Sequence, residues 1–72
     1  MDIEHLVAMA NQIGDFFGAE PDKDEAAVQT ASHLRRFWEP RMRKQIIAHA
    51  SATGSGLNEI SRAAVGILAK QS

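Results

Sequence analysis

The chain has 72 residues, no cysteine, one tryptophan, and eight basic against nine acidic residues, for a formal net charge of -1. A chain this short buries only about 60% of the surface its unfolded form exposes, so a single marginal core is all it can build. Without cysteine it has no disulfide framework and no thiolate metal site, and the acidic opening Met1-Asp2-Ile3-Glu4-His5 with no long apolar run predicts neither signal peptide nor membrane span.

The expectation is therefore one domain over 1–72, located in the cytoplasm. Ile3, Leu6, Val7, Ala10, Ile13 and Phe17 fall at helical spacing, Asp2 can cap the first turn and Glu4 complements the dipole, which predicts a helix over 2–18. Met9 and Phe16 lie off that stripe, and a second apolar face implies a second neighbour, within the domain or outside it. Gly18-Ala19-Glu20-Pro21 ends this helix. Asp22 with Glu25 three residues on resembles a capping box and opens a helix over 23–38. The stripe of that helix, Ala27, Val28, Ala31, Leu34 and Trp38, is heaviest at the Phe37-Trp38 corner.

Pro40 has no backbone donor, would clash with the Arg36 carbonyl and pushes Glu39 out of the α region, so the second helix breaks there. Proline suits a first turn, which predicts a third helix over 40–50 with Met42, Ile46 and Ile47 as its contacts. Ser51 to Gly56 reads as a loop by composition, with Gly54-Ser55-Gly56 a flexible connector. Asn58 caps a fourth helix over 58–70, with stripe Leu57, Ile60, Ala64, Ile67 and Leu68, Glu59 in its first turn and Lys70 near its end. Gly66 costs about 1 kcal/mol relative to Ala in a helix interior, and with Ala63 it forms a small-residue patch suited to close backbone approach. No strand-like alternation and no internal repeat occur. The fold class is all-α, a small bundle of about four helices with the option of opening onto a partner.

Little in the chain points to chemistry. His5, His33 and His49 are not paired at i and i+4 and belong to no His-Glu-x-x-His string, so they read as surface or boundary residues. Asp22-Lys23-Asp24-Glu25 has no glycine at the sixth position of a calcium loop and His33 at the twelfth. Gly54-Ser55-Gly56 has Glu59 where a third glycine belongs and no strand before it. No nucleophile is marked by a base and an orienting group. The chain by itself is expected to be no enzyme and to hold no metal or cofactor.

Its charge is lopsided, with seven acids against one base in residues 1–25 and seven bases against two acids in residues 26–72. Arg35, Arg36, Arg41, Arg43 and Lys44 cluster around Trp38 and Pro40. In one reading Phe37, Trp38 and Met42 are core and the arginine stems cover apolar surface. In a second the cluster meets nucleic-acid phosphates, against which stand a pI near 6.3 and the acidic first helix. The third is favoured: Arg and Trp are the commonest interface hot spots, and a basic corner suits an acidic groove. The candidate partner interface is Arg35, Arg36, Phe37, Trp38, Arg41, Met42 and Arg43. Arg41 and Lys44 share a helix face from which Arg43 points away.

The strings Leu6-Val7-Ala8-Met9-Ala10-Asn11-Gln12-Ile13-Gly14-Asp15-Phe16-Phe17 and His33-Leu34-Arg35-Arg36-Phe37-Trp38-Glu39-Pro40-Arg41-Met42-Arg43, followed by Gly56-Leu57, carry a family likeness from about residue 5 to residue 69. The chain resembles the small delta subunit of NAD-dependent formate dehydrogenases. Glu39 stands where the family pattern has Asp, which keeps the charge. The resemblance implies a non-catalytic accessory subunit of a cytoplasmic molybdenum or tungsten complex that oxidises formate to carbon dioxide and reduces NAD. It implies a large alpha subunit with bis-molybdopterin guanine dinucleotide and iron–sulfur clusters, and beta and gamma subunits with FMN and further clusters. The delta chain would hold none of these. It would pack on the alpha subunit through Phe37, Trp38, Arg41, Met42 and Arg43 and stabilise the cofactor-loaded enzyme. A variant of this expectation brings the arginines to the anionic cofactor phosphates or the formate access path during maturation. The alternative from another class is a free-standing helical regulator binding nucleic acid or another protein. Self-association of the isolated chain stays open.

Overall fold

The computed structural model describes residues 2–71. Within them lie four helices, α1 (Ile3–Phe17), α2 (Lys23–Phe37), α3 (Pro40–Ala52) and α4 (Glu59–Gln71), and the expected all-α bundle is what forms. Their ends follow from the capping chemistry. The Asp2 carboxylate accepts the Glu4 amide at 3.2 Å and opens α1. Asp22 accepts the amides of Asp24 at 3.0 Å and Glu25 at 3.3 Å and opens α2. The expected capping box is one-sided, however, because the Asp22 amide donates to Glu20 Oε1 and not to Glu25. Glu39 is extended with ψ 151°, and Pro40 opens α3 as the proline rules require.

The stretch after α3 departs from expectation. The helix continues through Ser51 and Ala52, and the turn that follows is pinned where a flexible connector was expected. The Gly54 amide reaches back to the His49 carbonyl at 2.9 Å, and His49 Nε2 donates to the Ser55 carbonyl at 2.8 Å. Gly54 at φ 64° and Gly56 at φ 86° occupy the left-handed region, which a side chain would strain. Asn11 in α1 holds this turn from the other side. Its amide nitrogen donates to the Gly56 carbonyl at 2.8 Å and its amide oxygen accepts the Asn58 backbone N–H at 2.9 Å. Asn58 Oδ1 in turn accepts the Ser61 amide at 2.9 Å and caps α4, as its residue type predicted.

Helix α4 touches all three other helices and α2 most extensively. That contact is close because α2 turns a small-residue face inward, with Ala26, Ala27, Thr30 and Ala31 buried, and α4 contributes buried Ala64. Leu6, Val7 and Ala10 of α1, Leu34 and Trp38 at the end of α2, Ile46 of α3, Leu57, and Val65 and Leu68 of α4 complete the core. Val28, expected on the α2 stripe, is 49% exposed. It lies about 100° around the helix from Ala27, and the buried arc centres on Ala27, Ala31 and Leu34 instead. Val65 replaces Ile60 and Ile67 as the central residue of α4, the latter two being only half-buried.

The close backbone approach expected at Gly66 occurs at Gly14. A Cβ on Gly66 would meet nothing within 4 Å, whereas one on Gly14 would stand 2.6 Å from Ser61 Oγ. Ser61 donates its hydroxyl to the Ala10 carbonyl at 2.9 Å across this α1–α4 seam, and buried Thr30 donates to the Ala26 carbonyl at 2.8 Å. Among the described residues no buried side-chain polar atom lacks a partner. The Cα radius of gyration of 10.6 Å is near the value of about 11 Å for a compact chain of this length. The helices therefore close on one another without a partner.

Candidate partner interface

Three basic side chains turn out to fasten helix junctions. Lys23, in the first turn of α2, donates through Nζ to the Gly18 carbonyl at 2.7 Å and the Glu20 carbonyl at 3.3 Å, just past α1. Arg43, in the first turns of α3, donates through Nη1 to the Arg35 carbonyl at 3.0 Å and to the Trp38 carbonyl, at the end of α2. Arg62 of α4 donates through Nη2 to the Gly54 carbonyl at 2.9 Å, in the turn after α3. Helix C-termini leave carbonyls without intrahelical partners and carry a partial negative charge, so a cation reaching back from the next helix satisfies both needs. Arg43 and Arg62 each stand four residues after the residue that opens their helix, Glu39 and Asn58. That spacing was a legible signal that the charge pattern alone concealed.

The seven residues expected at the interface divide accordingly. Trp38 is 5% exposed and lies in the chain's own core, as its place on the α2 stripe implied. Met42 is half-buried against that core, and Arg43 is engaged by the α2 carbonyls. Arg35, Arg36, Phe37 and Arg41 are exposed. None of Arg35, Arg36, Arg41 and Lys44 forms an ion pair with another described residue. Arg35, Arg43 and Lys44 line one hollow of about 300 Å³ with Ile47 and Leu68 on its walls, so part of the basic cluster is brought together there.

Phe37 belongs elsewhere, to an aromatic surface shared by α1 and α2. Phe16 and Phe17 stand edge to face with centroids 5.0 Å apart, Phe17 is 6.1 Å from His33, and His33 is 4.7 Å from Phe37. The Arg36 guanidinium lies 5.6 Å from the Phe37 ring centroid, within cation–π range. Phe16 is 77% and Phe37 67% exposed, beside half-exposed Val28. Leaving two phenylalanines in water forgoes about 1.5–3 kcal/mol of burial each, which their own core does not recover. The rings form one contiguous apolar patch across the two helices.

The sequence held two signs of this surface. Adjacent Phe16 and Phe17 diverge by about 100° on a helix and cannot both face one core. His33 and Phe37 are an i, i+4 pair, which places their rings together. Within the chain α1 has its further neighbours in α2, α3 and α4, and Phe16 of the second apolar face stays exposed. Met9, expected with it, packs against the core instead. Among the described residues no three His, Asp or Glu side chains gather where they could hold a metal ion, and no helix is long and apolar enough to cross a membrane.

Residues 5–65 match the family model described as the NADH-dependent formate dehydrogenase delta subunit, FdsD. No curated protein and no solved structure matches the chain. The matched span takes in most of α1, all of α2 and α3 and the first half of α4, including Asn11 and the Trp38-Pro40 corner that hold the bundle together. By that match over most of its length, the chain belongs to the formate dehydrogenase delta subunit family.

Proposed function

We propose that the chain is a non-catalytic accessory subunit of a cytoplasmic NAD-dependent formate dehydrogenase, which it stabilises or helps to assemble by packing on the large catalytic subunit. Family membership supports the complex, and the exposed aromatic surface of Phe16, His33 and Phe37 beside Arg36 supports the packing. The latter is the observation that carries the reading, because a marginal domain gains from covering such a surface. In this proposal the alpha subunit holds bis-molybdopterin guanine dinucleotide with molybdenum or tungsten and iron–sulfur clusters, and the beta and gamma subunits hold FMN and further clusters. This chain contributes surface alone. Its contact moves from the Trp38 corner to Arg36, Phe37 and their neighbours, with Arg35 and Arg41 at the rim, since Trp38 and Arg43 are used inside the chain.

The test is to purify the complex from cells with and without this chain. The expected result is co-purification of the chain and, in its absence, lower yield of assembled enzyme and lower formate-dependent NAD reduction. A chain that never co-purifies, together with unchanged activity when it is deleted, would overturn the reading. Salt-dependent nucleic-acid binding by the isolated chain would favour a regulator instead.

A further inference from the structure

The aromatic surface is a groove with two adjoining hollows. Phe17, Val28, His33, Arg36 and Phe37 line the larger, of about 390 Å³. Ile13, Phe16, Phe17 and His33 line the smaller, of about 210 Å³. Phe17 and His33 wall both, so one occupant can fill the two together. We infer that this groove seats a single amphipathic helix of the catalytic subunit, with an apolar side chain in each hollow and a carboxylate against Arg36; this rests on the subunit reading above.

The occupant is a helix because of what the groove lacks. Its walls are α1 and α2, whose backbone groups are bonded within each helix, so an extended segment would find no row of free N–H and C=O groups to pair with. A helix brings its own backbone satisfied and offers apolar side chains at i, i+3 and i+4.

The carboxylate follows from charge. Among the described residues Arg36 is the only permanently charged side chain lining either hollow, and covering it without a partner would be costly. Its guanidinium already stacks on Phe37, a placement compatible with bidentate pairing to a carboxylate through its planar N–H fork. At the other end of α2, Asp24 and Glu25 in the first turn and the capping Asp22 repel a carboxylate. The seated helix therefore has one favoured direction, acidic end toward Arg36.

The experiment places a photoreactive phenylalanine analogue at Phe16 or Phe37 in the assembled complex and maps the cross-linked peptides by mass spectrometry. Both probes should attach to one helical segment of the catalytic subunit, with an Asp or Glu within a turn of the attachment. Arg36→Glu should lower retention of the chain by about tenfold or more, and reversing that carboxylate to Lys should restore it. Phe37→Ser serves as a second variant, with circular dichroism confirming that each variant is folded. Attachment to a strand or loop, to two separate segments or to a second copy of this chain would overturn the inference, as would wild-type retention of Arg36→Glu. If the chain co-purifies fully but neither probe cross-links, the groove assignment falls and the subunit reading stands. A chain that never joins the complex removes both.

Discussion

On the side of α1 that faces α4, Gly14 brings the backbone so near Ser61 that a methyl group would not fit, and Asn11 holds the turn before α4 with both ends of its amide. On the side that faces away, Phe16 stands 77% exposed with Phe17, His33 and Phe37 continuing its surface across α2. The inner seam is small, polar and fully paired; the outer face is large, aromatic and uncovered. A domain of this size stabilises itself by close approach, and its bulkiest exposed side chains take no part in that packing. Size of side chain is thus a poor guide to core membership here, where the alanines of α2 are buried and two phenylalanines are not.

The sharpest way to break the contrast is at Leu34, which is wholly buried. Leu34→Ala should cost about 2–5 kcal/mol, comparable with the whole stability of a 72-residue bundle, and leave much of the chain unfolded in urea or thermal melts followed by circular dichroism. A melting temperature within a few degrees of wild type would place the core elsewhere. Next in size is the division between a fastening arginine and a rim arginine. Arg43→Met should destabilise by about 1–2 kcal/mol, through loss of its bonds to the Arg35 and Trp38 carbonyls, while Arg41→Met should stay within about 0.5 kcal/mol. Equal losses would erase the distinction. It also follows that charge reversal at Arg43 cannot by itself report on a partner, because it would damage the α2–α3 junction first.

Two glycines separate the close seam from open surface by sign. Gly14→Ala should destabilise by about 1 kcal/mol, since overpacking against Ser61 Oγ outweighs the gain in helix propensity. Gly66→Ala, with open space around it, should stabilise by about 0.5–1 kcal/mol, a rise of a few degrees in Tm. The smallest effect on the isolated chain is expected at the groove. Phe16→Ser and Phe37→Ser should each shift its stability by no more than about 0.5 kcal/mol, yet reduce co-purification with formate dehydrogenase. A large loss of stability in the isolated chain would mean that these rings serve its own fold.

Both strings that carried the family likeness turn out to be largely scaffold. In Met9-Ala10-Asn11-Gln12-Ile13, Ala10 is buried and accepts the Ser61 hydroxyl, and Asn11 clamps the turn at Gly56 and Asn58. In Phe37-Trp38-Glu39-Pro40-Arg41-Met42-Arg43, Trp38 fills the core, Pro40 turns the chain and Arg43 fastens the junction. Phe37, Glu39, Pro40 and Arg41 are the members left exposed. A motif specific enough to identify a family can therefore say more about how the domain folds than about what it touches.

Helix number, order and most boundaries were written in the sequence, because caps, prolines and glycines act over a few residues and depend on little else. Asp2, Asp22, Pro40 and Asn58 do locally what their residue types predict. Which side chains are left exposed was not written there. Trp38 and Phe37 are neighbours with similar chemistry, and only the position of α2 against α4 sends one into the core and the other into water. Likewise Arg36 and Arg43 carry the same charge, and their different work follows from which carbonyls or rings lie within reach once the helices have packed. Contacts between residues far apart in the chain are set by the sum of many weak packing energies, and no local pattern encodes that sum.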